Sequence, residues 1–179
     1  DYIMEQILLS KQDIENIINN LVDAITENFD INDSFAIIGV QTRGVELSNR
    51  IREKLEAKTG VDIKSGVLDI TFHRDDLSKR GSLPEIKETR IDFDIDDLNI
   101  LLVDDVLFSG RTTKAAIESL MTFGRPRKIK LFILVDRGNR DLPIQPDYCE
   151  CKIESKPGEK VKVRLQQTDN VEDTVILVQ

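Results

Sequence analysis

ILLVDDVLFSGRT, residues 100–112, decides the fold. From Asn99 to Val103 the chain is apolar at nearly every position and short, which is how a strand buried on both faces reads. At its end stand two carboxylates, Asp104 and Asp105, followed by Val106, Leu107 and Phe108. Ser109, Gly110, Arg111 and Thr112 then lead into a helical pattern over 112–123. In a parallel sheet, ligands bind outside the carboxyl ends of the strands. Two carboxylates there can accept hydrogen bonds from a vicinal diol. Small residues at the following helix N-terminus let backbone N–H groups close on a phosphate, which the helix dipole also favours. A phosphorylated ribose has that layout. A Walker loop would need GxxxxGK[ST], which is absent, and Ser109 lacks both the GxSxG elbow and a histidine partner.

Working outward, the same strand-and-helix rhythm recurs. Ser10 caps a first helix with Asp13 three residues on, and Ile14, Ile17, Ile18, Leu21, Val22 and Ile25 form one apolar stripe. Residues 35–40 and 129–135 are further apolar strands, and 67–72 reads as another. A helix follows Gly44, with Leu47, Ile51 and Leu55 on one face and its end near Gly60. The alternation predicts a doubly wound, mostly parallel α/β sheet in a single domain spanning 1–179. Residues 73–97 form a long polar stretch of the kind that is usually functional. Beyond residue 137 the chain turns rich in Gly, Pro and charge. Residues 160–165 alternate with period two and 174–178 are apolar, which predicts a small C-terminal β appendage, or hood, over about 137–179.

Bulk composition fits a soluble globular chain of 179 residues, with 40% hydrophobic and 32% charged residues. Neither a secretory signal nor a membrane-length apolar run is visible, which predicts a cytoplasmic location. Cys149 and Cys151 are too few for a disulfide framework, and with His73 as the only histidine they make no zinc site. Net charge is −8, against a general polyanion binder, yet it is unevenly spread. Residues 1–123 carry a net −10, whereas 124–164 carry 11 Lys/Arg against 6 Asp/Glu, a net +5. Such a basic stretch serves an anionic ligand or RNA, or is simply a solvated face.

Residues 100–112 resemble the phosphoribosyl pyrophosphate signature of type I phosphoribosyltransferases: four apolar residues, two acids, an apolar residue, then Ser-Gly-x-Thr. Flanking segments resemble the PyrR family, pyrimidine operon attenuators that are also uracil phosphoribosyltransferases. They are QTRG (41–44), LDITFHRDDL (68–77), GRP (124–126) and LVDRGNRDLPI (134–144). The resemblance implies roles. Thr42, Arg43 and Gly44 match the pyrophosphate loop, Asp104 and Asp105 the ribose-hydroxyl acids, and residues from Val106 through Phe108 to Thr112 the 5-phosphate loop. Val135, Asp136 and Arg137 match the base-recognition segment, although Asp136 also reads as a strand-end turn residue. His73, Arg74, Asp75 and Asp76 match the flap that closes over substrate. Catalysis would rest on Asp104, Asp105 and Arg43. Mg²⁺ is implied as a cofactor carried on phosphoribosyl pyrophosphate, with no protein ligand assigned. Uracil and UMP are the implied partners, and the chain would be a homo-oligomer.

Several positions depart from the PyrR pattern. His73 stands where tyrosine is usual, Asn139 where histidine is, and Gln145 where arginine is common. Cys149-Glu-Cys-Lys152 replaces a VGKN segment, and the first helix is less basic than usual. These changes lie largely outside the ribose-phosphate motif and bear more on RNA regulation than on catalysis. Two other readings therefore stay open: a non-catalytic, nucleotide-sensing RNA attenuator, and a phosphoribosyltransferase for another nucleobase.

Overall fold

The computed structural model describes residues 3–70 and 88–179. It opens with strand β1 (Glu5–Leu9) and helix α1 (Lys11–Asn28). Ser10 caps that helix reciprocally: its Oγ accepts from Asp13 N at 3.1 Å, and Asp13 Oδ2 accepts from Ser10 N at 2.8 Å. All six residues of the apolar stripe are buried. Strand β2 (Phe35–Val40), buried throughout, leads into α2 (Arg43–Thr59), and strand β3 (Lys64–Leu68) follows. Next come β4 (Asn99–Leu107), α3 (Arg111–Met121) and β5 (Lys128–Asp136). The chain ends with β6 (Cys151–Lys152), β7 (Lys160–Arg164), the short helix α4 (Gln166–Asp169) and β8 (Thr174–Val178).

Five strands form a parallel sheet in the order β3-β2-β4-β5-β6. Successive side chains of its central strands enter two separate cores, as the pleat requires. Ile37, Leu101 and Phe132 pack with α1 and α2, while Ile38, Leu102 and Ile133 pack with Ala116 and Leu120 of α3. The sheet is thus doubly wound, as expected. A second, antiparallel sheet has the order β1-β8-β7 and shares the first core through Leu9, Val163 and Val175. No helix among the described residues is long and apolar enough to cross a membrane.

Four boundaries differ from the sequence expectation. The strand expected to end at Val103 continues to Leu107, because Val106 and Leu107 keep pairing with β5 as far as Asp136. The acidic pair therefore lies inside the strand. The strand expected over 67–72 runs instead from Lys64 to Leu68 beside β2. Helix α2 begins at Arg43, so Arg43 and Gly44 occupy its first turn rather than a preceding loop. The appendage is not purely C-terminal either: β1 supplies its third strand, and Cys151 and Lys152 belong to the main sheet. Of the long polar stretch, residues 73–87 lie outside the described residues. Its last part is tied down, with Arg90 pairing with Val67 through two 2.8 Å backbone bonds and Ile95 fully buried.

Candidate functional site

The carboxyl ends of β2, β4 and β5 open into a cavity of about 890 Å³. At the end of β4 the side-chain alternation breaks. Val106 joins the core layer of Leu101 and Val103, whereas Leu107 joins that of Ile100 and Leu102. Each acid accepts from the next residue's amide: Asp104 Oδ1 from Asp105 N at 2.8 Å, and Asp105 Oδ1 from Val106 N at 2.9 Å. These bonds satisfy carboxylates that are 4% and 8% exposed. Asp105 lines the cavity; Asp104 sits behind it, beside Gly44.

From Val106 the wall runs through Leu107, Phe108, Ser109 and Gly110 to Thr112 and Thr113 at the start of α3. Gly110 is the N-cap residue of α3 at φ +93°, a backbone region that favours glycine; it has no side chain to cap the helix, and Ser109 Oγ accepts from the first helical amide, Arg111 N, at 3.2 Å. The next two amides, those of Thr112 and Thr113, belong to residues that line the cavity at the N-terminus of an eleven-residue helix, a ready anion site. Residues from the next loop hold this segment. Ser109 O accepts from Asp141 N at 2.8 Å and Leu142 N at 3.1 Å. Arg111 points out of the cavity, pairing with Asp141 at 3.2 Å.

Arg43 enters from α2. Gly44, next to it, is packed so closely on β4 that an added Cβ would meet Val103 O at 2.5 Å. The helix start can lie against β4 only because that side chain is missing. Arg43 is not a lone charge: its Nε and Nη2 donate to Asp169 of α4 at 3.1 and 2.7 Å. Thr42 precedes the helix without capping it and does not reach the cavity. The Gln41–Thr42 peptide is cis.

At the end of β5, Val135, Asp136 and Arg137 separate. Val135 is wholly buried, its backbone paired on both sides, by Val106 and Cys151, so it does not line the cavity. Asp136 turns to Arg140 in a bidentate ion pair and also accepts from Gly138 N at 3.0 Å. Burial works against its charge, but these hydrogen bonds outweigh it and hold its pKa below the ordinary value. Its turn-residue reading is the one this geometry fits. Arg137 alone reaches the cavity, its guanidinium 4.1 Å from the centre of the Phe108 ring. It is steadied by Ser155 Oγ at 3.0 Å and Glu159 O at 2.7 Å.

The opposite wall was not anticipated as part of the site. Gly158, Glu159 and every residue from Lys160 to Arg164 line the cavity, as do Asp169 and Val171. Among the described residues β7 is an edge strand, paired on one side by β8, and five of its consecutive residues touch the cavity, which sets its other backbone edge toward it, with N–H and C=O groups at alternate residues. The period-two pattern of 160–165 marks a strand, but nothing local in it says which surface its free edge faces. Five of the lining residues are cationic, Arg43, Arg137, Lys160, Lys162 and Arg164, against Asp105, Glu159 and Asp169, although the Arg164 guanidinium pairs with Glu5 of β1 at 3.8 Å. In a chain of net −8 this is a surplus suited to a polyanion.

Known proteins resemble this chain in sequence and fold. Residues 4–168 match the phosphoribosyl transferase domain family. A curated protein of Caldicellulosiruptor bescii, named bifunctional protein PyrR, is 48% identical over 80% of this chain and 79% of its own length. Another of that name, from Deinococcus radiodurans, is 44% identical over 92% of this chain and 90% of its own. This chain belongs to the PyrR family of phosphoribosyltransferases. The fold agrees. A hypoxanthine phosphoribosyltransferase structure from Staphylococcus aureus superposes with a TM-score of 0.70, at 18% identity, covering 95% of this chain and 90% of that one. Within the PyrR family, then, this member brings Arg43, Asp105, Phe108 to Gly110, Thr112 and Arg137 to one cavity, while His73, Arg74, Asp75 and Asp76, expected to form a flap, lie outside the described residues.

Proposed function

We propose that this protein transfers the phosphoribosyl group of phosphoribosyl pyrophosphate to uracil, releasing pyrophosphate and forming UMP. The observation that carries this reading is the convergence of Asp105, the N-terminus of α3 and Arg43 on one cavity. The segment Ser109, Gly110, Thr112 and Thr113 takes the 5-phosphate at the start of α3. Asp105, held by Asp104 behind it, accepts hydrogen bonds from the ribose hydroxyls. Arg43, with Thr42 and Gly44 setting its backbone, faces the pyrophosphate. The base lies between Phe108 with Arg137 and the free edge of β7, whose N–H and C=O groups complement the amide-like edge of a pyrimidine. The choice of uracil rests on family membership and on the flanking segments at 41–44, 68–77 and 134–144.

In the reaction the anomeric C–O bond breaks as N1 of uracil bonds to the same carbon and sheds its proton. Positive charge builds on the ribose ring and negative charge on the departing pyrophosphate. The protein lowers the barrier by positioning both partners and by fixed charges set before the reaction. Asp105 sits where it stabilises the ring, and Arg43 where it stabilises the leaving group.

Mg²⁺ fits as an ion carried by substrate. Among the described residues there is no group of three or more His, Cys, Asp or Glu side chains able to hold a metal. Asp105 is the acid of the motif that borders the cavity, enough to orient an ion already bound by phosphate oxygens and water. Bound there, the ion would neutralise charge on the pyrophosphate.

The test is pyrophosphate release with uracil, hypoxanthine, guanine and orotate in turn. Uracil turnover is expected, and Asp104→Asn with Asp105→Asn abolishes it in a folded protein. Turnover of a purine with uracil inert would overturn the assignment. A second reading, regulation by RNA binding, is favoured by the net +5 of residues 124–164 and by the bifunctional name of the relatives. A gel shift with the chain's own pyrimidine leader RNA, with and without uridine nucleotides, decides it. We also infer, from family resemblance, a cytoplasmic homo-oligomer.

A further inference from the structure

Arg43 and Asp169 are 126 positions apart in the chain, yet they meet in the cavity with their planes matched. The guanidinium uses one side, Nε and Nη2, on the carboxylate. Its end-on fork, Nη1 with the second Nη2 hydrogen, remains for another anion. Asp169 is itself fixed, because its Oδ2 accepts from Leu165 N at 2.8 Å.

Behind this pair stands a platform that α4 could not make alone. Glu46, one turn along α2 from Arg43, is 4% exposed and accepts from Thr168 N at 2.7 Å and Thr168 Oγ1 at 2.6 Å. It also accepts from Arg50, which in turn grips Asp173 with bonds of 2.5 and 2.9 Å. Asp173 Oδ1 accepts from Gln166 N at 2.9 Å. Helix α4 is thereby bound to α2 by charge-assisted hydrogen bonds to Glu46 and by the Arg43–Asp169 ion pair, and Asp169 is held at a set position relative to Arg43. Burial opposes its charge, and the Arg43 and Leu165 hydrogen bonds prevail, so it stays ionised beside Arg43.

We propose that Asp169 is a positioning residue, which turns the open fork of Arg43 toward the pyrophosphate group of phosphoribosyl pyrophosphate. The inference rests on the reading of the cavity as a phosphoribosyl pyrophosphate site. A long arginine without this partner would sample many rotamers, and ordering it on binding would cost affinity. Paired, it meets the pyrophosphate already aimed. Asp169 thus acts through Arg43 without touching substrate.

The experiment compares wild type with Asp169→Asn and Asp169→Glu in steady-state kinetics, with product inhibition by pyrophosphate and binding of UMP. In Asp169→Asn the KM for phosphoribosyl pyrophosphate and the inhibition constant of pyrophosphate should each rise roughly tenfold, the scale of a lost charge-assisted contact. The uracil KM and UMP affinity should stay within about twofold, since neither depends on the pyrophosphate end. Asp169→Glu, which keeps the carboxylate, should fall nearer to wild type. Unchanged pyrophosphate inhibition in Asp169→Asn would sink the proposal. So would tighter binding of phosphoribosyl pyrophosphate, which would make Asp169 a competitor for Arg43, or a parallel loss of UMP affinity, which would make it a general prop. If wild type turns over no nucleobase at all, it is the function reading that fails instead.

Discussion

Arg140 grips Asp136 with two hydrogen bonds of 2.7 and 2.6 Å, and the same guanidinium donates to Phe108 O at 3.0 Å and Ile144 O at 2.7 Å. One side chain thus locks the end of β5 to the segment that follows β4. Replacing it leaves Asp136 buried beside an empty socket and lets the 108–110 segment move. Arg140→Met should lower stability by about 2–3 kcal/mol, as expected when a largely buried ion pair loses one partner. It should also raise the KM for phosphoribosyl pyrophosphate. Thermal unfolding together with steady-state kinetics checks both, and an unshifted melting temperature would contradict the role.

Gly44 admits no side chain. A Cβ there meets Val103 O at 2.5 Å and Asp104 Cα at 3.2 Å, both backbone atoms that cannot swing aside. Gly44→Ala should cost about 1–3 kcal/mol, and it should push α2 off β4 beside Asp104. Activity should drop more than stability alone explains, because the displaced element carries Arg43. Normal kinetics in a folded Gly44→Ala protein would refute this.

Acid should weaken the fold through Asp173. The hydrogen bond from Arg50 holds its carboxyl below the ordinary value, against a smaller effect of burial. A depressed folded-state pKa means the contribution is present above the unfolded value of about 3.8 and is lost as pH falls below it. Wild type should therefore lose stability steeply below about pH 4. Asp173→Asn should start lower at pH 7, by roughly 5–10 °C in melting temperature, and show a shallower acid limb. Identical pH profiles would remove Asp173 from the acid transition.

Cys149 should be sluggish toward alkylation. Burial pushes its thiol up to about 11, and its Sγ donates to Cys151 O at 3.4 Å. At pH 8 it should carry roughly a hundredfold less thiolate than an ordinary cysteine and react with iodoacetamide correspondingly slowly. Its rate should keep climbing to about pH 11. Fast labelling at neutral pH, read by mass spectrometry, would show that the site is more open than the structure describes.

The parallel sheet was readable because buried strands such as 35–40 and 99–103 have few other destinations, and because the Ser10 cap is written in three residues. The ribose-phosphate segment was readable for a related reason: its acids, small residues and helix start are contiguous. What escaped was non-local. Asp169 lies in a four-residue helix with no signal of its own, and only folding brings it to Arg43. The exposed character of 3–7 hid a strand, since β1 takes its place by pairing with β8 rather than by burying a face. Asp136 and Arg137 are neighbours with divergent duties, and sequence alone cannot tell which of two adjacent polar residues turns inward.

The pairing of β1 with β8 joins Glu5 to Val178, near opposite ends of the described chain. β7, which walls the cavity, hydrogen-bonds in its sheet to β8 alone. A contact spanning so much sequence forms late, after its loop has been closed by everything between. During synthesis four of the five strands of the central sheet can assemble as soon as β5 emerges, but the cavity has no far side until β8 arrives and finds β1. A molecule cut short before β8 would therefore hold the 108–113 segment and lack the wall facing it, so that the arrival of β8 acts as the last step in building the site.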